Sequence, residues 1–404
     1  MKFKDVIAVS AILLIGSYRA YAQDSSVSLD EIKAYALSTS TEVSSVDANF
    51  ALQLKESLET KAVKNPELQG DFLLPGTNGN PRSDNEAKIA LSQSLRISDF
   101  GARKEVSRLI NKAALIDQKL SLLELTQKIR LSYVKLWALQ ERERLLLGSK
   151  KRIEKASITV KKSLEKGLVG KGQALTFDAE SKKIESLKLG IGADIAETNS
   201  ILIRLSSYPK TIKAKSIPFD SLPEREVIFE MISDPSFPPI SRANLRAKLA
   251  EAQRSVARKD SYPSLTPNIF YTRNNEGFGG GLAIEIPLWY QNQGEIQKTQ
   301  ADIKLGNSQL DYFSGDLFKQ EVSSAYKFAD STLKQSRVYR DEILPKLKEA
   351  LSALEQQYLA GAASVFEILQ AQRELTDAEG QWLELVVKAI SARIDLSILV
   401  GNEI

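Results

Sequence analysis

Gly280-Gly281-Leu282-Ala283-Ile284-Glu285-Ile286-Pro287-Leu288 alternates with a period of two. Leu282, Ile284, Ile286 and Leu288 fall on one face of an extended chain, and Ala283, Glu285 and Pro287 on the other, the pattern of a strand whose two faces meet different surroundings. Leu265 to Tyr271, just upstream, alternates too: Leu265, Ile269 and Tyr271 oppose Thr266, Asn268 and Phe270. Arg273-Asn274-Asn275-Glu276-Gly277 joins the two runs, so they read as a hairpin.

The chain holds a second hairpin of the same kind. Ile89, Leu91 and Leu95 alternate with Lys88, Ala90, Ser92 and Ser94, behind the glycine- and proline-rich loop 75–81. The two regions lie in register along the chain. Leu95 and Leu288 are 193 positions apart, as are Gly101 and Gly294; Gly167 and Gly361, like Glu180 and Glu374, are 194 apart. Ordered matches at a nearly constant offset argue for duplication of a unit far longer than a solenoid repeat. Each half predicts a moderate helix (43–63 and 239–260) that stops before Pro66 or Pro263, two short strands, one very long helix (101–165 and 292–359), a glycine break, and a returning helix (173–206 and 364–400). A helix of 65 residues would be about 100 Å long. Ile368, Leu375, Trp382, Ala389 and Leu396 step by seven, with Leu369, Leu383 and Ile390 beside them, a coiled-coil seam that holds long helices side by side.

The strands pose a problem of closure. Phe72, Phe100, Phe278, Trp289 and Tyr290 cluster near the strand ends, which suits an interfacial aromatic girdle on a membrane barrel. A small soluble sheet capping a helix bundle gives the same alternation. Four strands cannot close a membrane barrel, which takes at least about eight. A barrel therefore asks for an oligomer, and three copies would supply twelve strands.

Composition narrows the chemistry. Lys2 and Lys4, the apolar run Val6 to Gly16 broken by Ser10, and Ala20-Tyr21-Ala22 form the three parts of an export signal, with the mature chain expected from near Gln23. No later segment reaches the roughly 18 uninterrupted apolar residues of a spanning helix, so any crossing of a membrane must use strands. Cysteine and histidine are absent, which removes disulfides, imidazole or thiolate zinc sites and the Ser-His-Asp and Cys-His arrangements. No cofactor and no enzymatic activity are expected. The 55 basic and 51 acidic residues nearly balance and interleave, unlike the basic footprint of a nucleic-acid binder.

Taken in order, these features resemble the TolC family of outer-membrane efflux ducts. Gly361-Ala362-Ala363-Ser364-Val365-Phe366-Glu367-Ile368-Leu369-Gln370-Ala371-Gln372 is similar to the family's second periplasmic turn, and Gly167-Leu168-Val169-Gly170 with Gln173-Ala174-Leu175 to its first. Leu95 to Arg103 and Ile286 to Trp289 resemble the junctions between strand and long helix. The junctions and the lack of a C-terminal extension lean toward the heavy-metal and cation branch. The resemblance implies a mainly α chain with a small β part: long antiparallel coiled-coil helices forming an α-barrel, and four strands given to a trimeric 12-stranded transmembrane β-barrel. It implies a signal peptide over 1–22, a first repeat over 23–207 (strands about 66–74 and 87–95), a linker or equatorial segment over 208–238, and a second repeat over 239–404 (strands about 265–273 and 280–288). It further implies a homotrimer in outer-membrane lipid that reaches into the periplasm, served by a periplasmic adaptor and an inner-membrane transporter.

The same resemblance points to particular residues. Glu367 takes the family's acidic position inside the second turn, where three copies would form a ring of carboxylates that favours cations. The position three residues on is Gln370 and the first-turn counterpart is Gln173, both amides, which weakens a lock made of carboxylates alone. Gly167, Leu168 and Val169, with Leu359, Ala360 and Gly361, are expected as adaptor-docking tips; a glycine helix stop explains the same residues. From Lys150 to Lys171 eight basic residues accompany two acids, whereas 344–365 holds two of each, so Lys161, Lys162 and Lys166 read as a basic collar on the first turn, or as a solvated helix face. Glu285 is expected in the barrel lumen. The duct of a type I protein-secretion system and a soluble periplasmic coiled-coil protein are the competing readings.

Overall fold

The computed structural model describes residues 26–72, 87–95, 101–167, 169–215, 217, 221–273 and 277–404. The export signal, the loop 75–81, Phe100 and Leu168 lie outside them. The chain folds into α1 (Leu29–Thr39), α2 (Thr41–Lys61), β1 (Glu67–Phe72), β2 (Ala87–Ser92), α3 (Ala102–Glu165), α4 (Lys171–Ser206), α5 (Arg225–Ser233), α6 (Pro238–Lys259), β3 (Ser264–Thr272), β4 (Gly277–Glu285), α7 (Gln293–Ser314), α8 (Asp316–Val338), a π-turn (Tyr339–Ile343), α9 (Leu344–Leu359) and α10 (Val365–Val400). No helix among the described residues is long and apolar enough to cross a membrane.

The internal copy is visible in backbone geometry. α4 and α10 are each 36 residues long. Gly167 and Gly361 both take left-handed conformations at the turns, with φ 71° and 77°. Ser207 and Gly401 repeat that conformation at the helix C-caps, with φ 56° and 64°. The sequence match between Gly101 and Gly294 is corrected here. The left-handed N-cap Gly101 (φ 84°) has its counterpart in Asn292 (φ 60°), and Gly294 lies inside α7.

The long helices differ between the copies. α3 runs unbroken for 64 residues. The stretch expected as one helix over 292–359 is instead three helices and a π-turn. Gly315 leaves the helical region at ψ 171° and starts α8 as its N-cap. Farther on, Leu344 N–H bonds to Tyr339 O, five residues back. The cause is Pro345, which has no N–H and whose ring would press on the carbonyl four residues earlier. The wider turn relieves that clash without ending the helix.

The strands form one antiparallel sheet in the order β1-β2-β3-β4. β4 lies three residues earlier than its alternation suggested, so Ile286 and Leu288 follow the ladder rather than sit in it. The register aligns Leu68, Leu91, Ile269 and Gly280 across the sheet, then Gly70, Ile89, Tyr271 and Phe278, and it sets Leu265 against Ile284. All the large aliphatic side chains therefore share one face. The other face carries Glu67, Gln69, Asp71, Lys88, Ser92, Thr266, Asn268 and Glu285. The apolar face is bare in the single chain: Leu68 is 74%, Phe278 89% and Leu282 60% exposed.

The cores lie along the helices. Leu146, Ile153, Val160, Phe177, Ile184, Ile191 and Leu369 fill the space between α3, α4 and α10. Leu344, Leu351, Ile368, Leu375 and Ala378 join α9 to α10. In the heptad series Ile368, Leu375, Ala389 and Leu396 are buried, and the half-buried Trp382 meets Trp137 edge to face at 6.3 Å. Near the middle of α3 the segment 211–215 is pinned to the helices. Asn199 holds both the N–H and the C=O of Ile212, at 3.1 and 2.9 Å. Tyr133 Oη donates to Val27 O and accepts from Lys215 N, each at 2.8 Å. Burial pushes the Tyr133 hydroxyl up to about 12, so it stays protonated and keeps donating.

α6 and α7 pack through small residues. A Cβ at Gly306 would stand 2.9 Å from both the N and the Cα of Ala247. Gly190, inside α4, has nothing within 4 Å of that position. In chemical denaturation of the purified protein, Gly306→Ala is expected to destabilise by about 1–3 kcal/mol through overpacking. Gly190→Ala is expected to stabilise by about 0.5–1 kcal/mol through helix propensity. Equal effects at the two sites would remove the close-packing account.

Candidate functional site

The two hairpin turns are built alike. α3 ends as Gly167 N–H bonds to Leu164 O at 2.9 Å, and α9 ends as Gly361 N–H bonds to Tyr358 O at 3.0 Å. α4 and α10 then begin with the third helical residue reaching back. Gln173 Oε1 accepts from Gly170 N–H at 3.2 Å, and Glu367 Oε2 accepts from Ser364 N–H at 2.6 Å and from its hydroxyl at 2.8 Å. Ser364 Oγ accepts in return from Glu367 N–H at 3.3 Å, which completes a capping box. The backbone N–H of Ser364, and then its hydroxyl, hold the Glu367 carboxyl below the usual carboxylate range. Gln370, one turn on, is exposed and donates to Glu374 Oε1 at 3.1 Å. Glu367 and Gln173 thus share one local task in the two copies, and a capping role stands beside the expected gate.

The tip residues divide. Ala360 and Gly361 are exposed, and nothing lies within 4 Å of a Cβ at Gly361 or at Gly167. Val169 is half-buried against the α3–α4–α10 core, so its side chain packs inward. Leu168 and the Leu359 side chain lie outside the described residues. In the collar Lys161 reaches Asp178 at 3.1 Å, while Lys162 and Lys166 are exposed on the last turn of α3 and its cap. Arg152 turns inward, donating to Gln372 Oε1 at 2.8 Å and to Ser149 Oγ at 3.1 Å.

Sequence reasoning missed the polar groups of the helix seam. Glu180 is buried and pairs with Arg373 at 2.6 Å, joining α4 to α10. Its sequence counterpart Glu374 is exposed, so the duplication gives no sign of the pair. Ser149, Gln372 and Thr376 bond one another between α3 and α10 at 3.0–3.1 Å. Beside them a cavity of about 190 Å³ is lined by Ile153, Phe177, Tyr358 and Leu369, with Arg152 and Gln372 at its polar wall.

On the polar sheet face Glu285 accepts from Ser264 Oγ at 3.0 Å, and Lys88 stands 4.6 Å from the centre of the Phe270 ring. Phe270 covers Gly279, where a Cβ would fall 2.5 Å from the ring. Among the described residues no three acidic side chains converge to hold a metal ion.

The gate and cap readings differ in sign. The cap lowers the Glu367 carboxyl, and its contribution is lost as pH falls through that lowered value. Three carboxylates converging on an axis would instead raise it. In a carboxyl titration of the assembled protein, a Glu367 value below the ordinary range, and loss of acid sensitivity of the α10 N-terminus in Glu367→Gln, are expected from the cap. A raised value would mean that the ring dominates.

Known proteins agree with this arrangement. Residues 237–402 match the outer membrane efflux protein family. The probable outer membrane lipoprotein SilC of Salmonella typhimurium is 23% identical over 359 residues, covering 81% of this chain and 75% of that protein. The cobalt-zinc-cadmium resistance protein CzcC of Cupriavidus metallidurans is 25% identical over 195 residues, 45% of each chain. The solved structure of CusC superposes with a TM-score of 0.75 at 19% identity, covering 93% of this chain and 92% of that one. The second half of the chain thus matches the outer membrane efflux protein family, and nearly its whole length shares the fold of CusC.

Proposed function

We propose that three copies of the chain form the exit duct of a tripartite efflux system, conducting metal cations passively from a periplasmic adaptor and an inner-membrane transporter to the outside. The two-faced sheet carries this reading. An apolar face left bare over all four strands suits lipid, and a polar face suits a water-filled lumen. β1 and β4 are the two edges of the sheet. Joining β1 of one copy to β4 of the next closes twelve strands and leaves no edge exposed. The two repeats, 23–207 and 239–404, would each give one hairpin to the barrel and one helix pair to the tunnel, with 208–238 between them.

Cation cargo has two supports. CzcC is described as a cobalt-zinc-cadmium resistance protein, and the polar sheet face carries Glu67, Asp71 and Glu285 against Lys88. Glu367, with Gln370 and Gln173, would narrow the closed end. The exposed tips around Gly167 and Gly361 would meet the adaptor, with the Lys161–Lys166 collar facing an acidic surface on it.

In cell fractionation the protein is expected in the outer membrane as a detergent-resistant trimer; a soluble monomer would end the duct reading. Deleting its gene should sensitise cells to divalent metals more than to drugs. Sensitivity to drugs alone, or loss of a secreted protein, would reassign the cargo. Reversing Lys161, Lys162 and Lys166 together to Glu is expected to reduce co-purification of the adaptor while leaving the trimer intact. Unchanged assembly would remove the collar from the docking surface.

A further inference from the structure

Glu379 lies in the α10 seam with 4% of its surface exposed, and its Oε2 has no hydrogen-bond partner among the described residues. An ionised carboxylate is costly in such a place unless a cation meets it. The arginines around it are committed elsewhere. On α3, Arg144 is held by both oxygens of Glu141, Arg152 by Gln372 and Ser149, and Arg142 by Glu384 of α10 at 3.4 Å. On α9, Lys348 is exposed. Burial pushes the Glu379 carboxyl above its ordinary range, against the pull of Arg152, Lys348 and Arg144, with Glu141 adding to the push.

A bendable element adjoins this group. The π-turn 339–343 leads directly into α9, and Tyr339 Oη donates to Gln381 Oε1 at 2.6 Å, two residues from Glu379. Leu344, Leu375 and Ala378 share one small core across the same contact. The turn thus borders the stretch of α10 that carries Glu379.

We propose that Glu379 is a positioning residue that couples proton uptake to the packing of α9 on α10, and so sets the pH dependence of the duct's periplasmic end. Neutral, it stays in the seam. Ionised, it turns toward Lys348 and draws α9 about the π-turn, shifting the hairpin that carries Gly361. The sign follows from linkage. A carboxyl raised in the packed state stabilises that state at acid pH, and the stabilisation is lost as pH rises through the raised value. The link to conduction rests on the duct reading; the coupling itself does not.

The test is hydrogen exchange on the purified full-length protein in detergent, corrected for intrinsic rates, over 339–360 and 372–386. From about pH 5 to about pH 8 the wild type is expected to lose about fivefold protection in both segments, a change of about one carboxyl titration. Glu379→Gln is expected to keep the acid-state protection at both pH values, and Lys348→Met to move the transition to higher pH. If Glu379→Gln follows the wild-type pH curve, or if Lys348→Met leaves the transition in place, the coupling is wrong. Conductance of the same proteins in planar bilayers reads the second half of the proposal. A pH-dependent exchange change without a matching conductance change upholds the coupling and overturns its link to the duct.

Discussion

The pairing of Leu91 with Ile269, and of Leu265 with Ile284, fixes which side of the sheet is oily and which is wet. A slip of one residue on any strand would turn that strand's aliphatic side chains to the opposite face. In a soluble protein such a face would be covered by helices of the same chain. Among the described residues the helices pack chiefly on other helices, and none packs extensively on the sheet. Two requirements follow. The apolar face needs a non-aqueous neighbour, and the two outer strands need partners. One closed barrel in a membrane meets both at once, because closure satisfies the edges and lipid covers the face. Trp289, 94% exposed just past β4, is where the chain would pass from hydrocarbon to headgroups.

The helices answer a different constraint. Two copies of one hairpin plan must stand side by side, and they are not equally stiff. α3 keeps its i to i−4 ladder for 64 residues, while the second copy spends Gly315 and the π-turn before Pro345 on bends. The first copy is thus one uninterrupted rod, and the second is jointed at two places. The seam between them is not purely apolar. Arg152, Gln372, Ser149 and Thr376 interrupt it, and Glu180 with Arg373 ties α4 across. Such groups add less stability than apolar packing of the same volume.

Much of this was legible in the sequence for simple reasons. Period-two alternation marks strands whose two faces differ, and the short turns at Gly167 and Gly361 had to be punctuated by residues that accept positive φ. Pro345 was equally visible, yet read alone it leaves open whether a helix stops, kinks or widens, and the observed answer depends on what α10 packs against. Ser364-x-x-Glu367 spells a capping box in plain sequence, so the local task of Glu367 could have been found there. The Glu180–Arg373 pair and the burial of Glu379 could not, because both depend on which faces of distant helices meet. Even the internal repeat misleads there: Glu180 aligns with Glu374, one buried and the other in water.

The two turns now differ in a physically definite way. At each, a helix C-terminus, with its partial negative charge, lies beside a helix N-terminus, with its partial positive charge. The backbone contributions largely offset one another, so the side chains set the difference. The second turn places the carboxylate of Glu367 on the α10 N-terminus. The first puts the neutral Gln173 in that position, no acid in the first turn of α4, and Lys162, Lys166 and Lys171 around it. One tip is therefore electropositive and the other carries the negative charge of Glu367, although the two are built alike. Around a threefold axis the tips would alternate, so a binding partner would meet two kinds of contact in turn. A partner with repeated identical subunits would need two distinct docking modes, whereas one with paired, unlike surfaces would match the alternation directly.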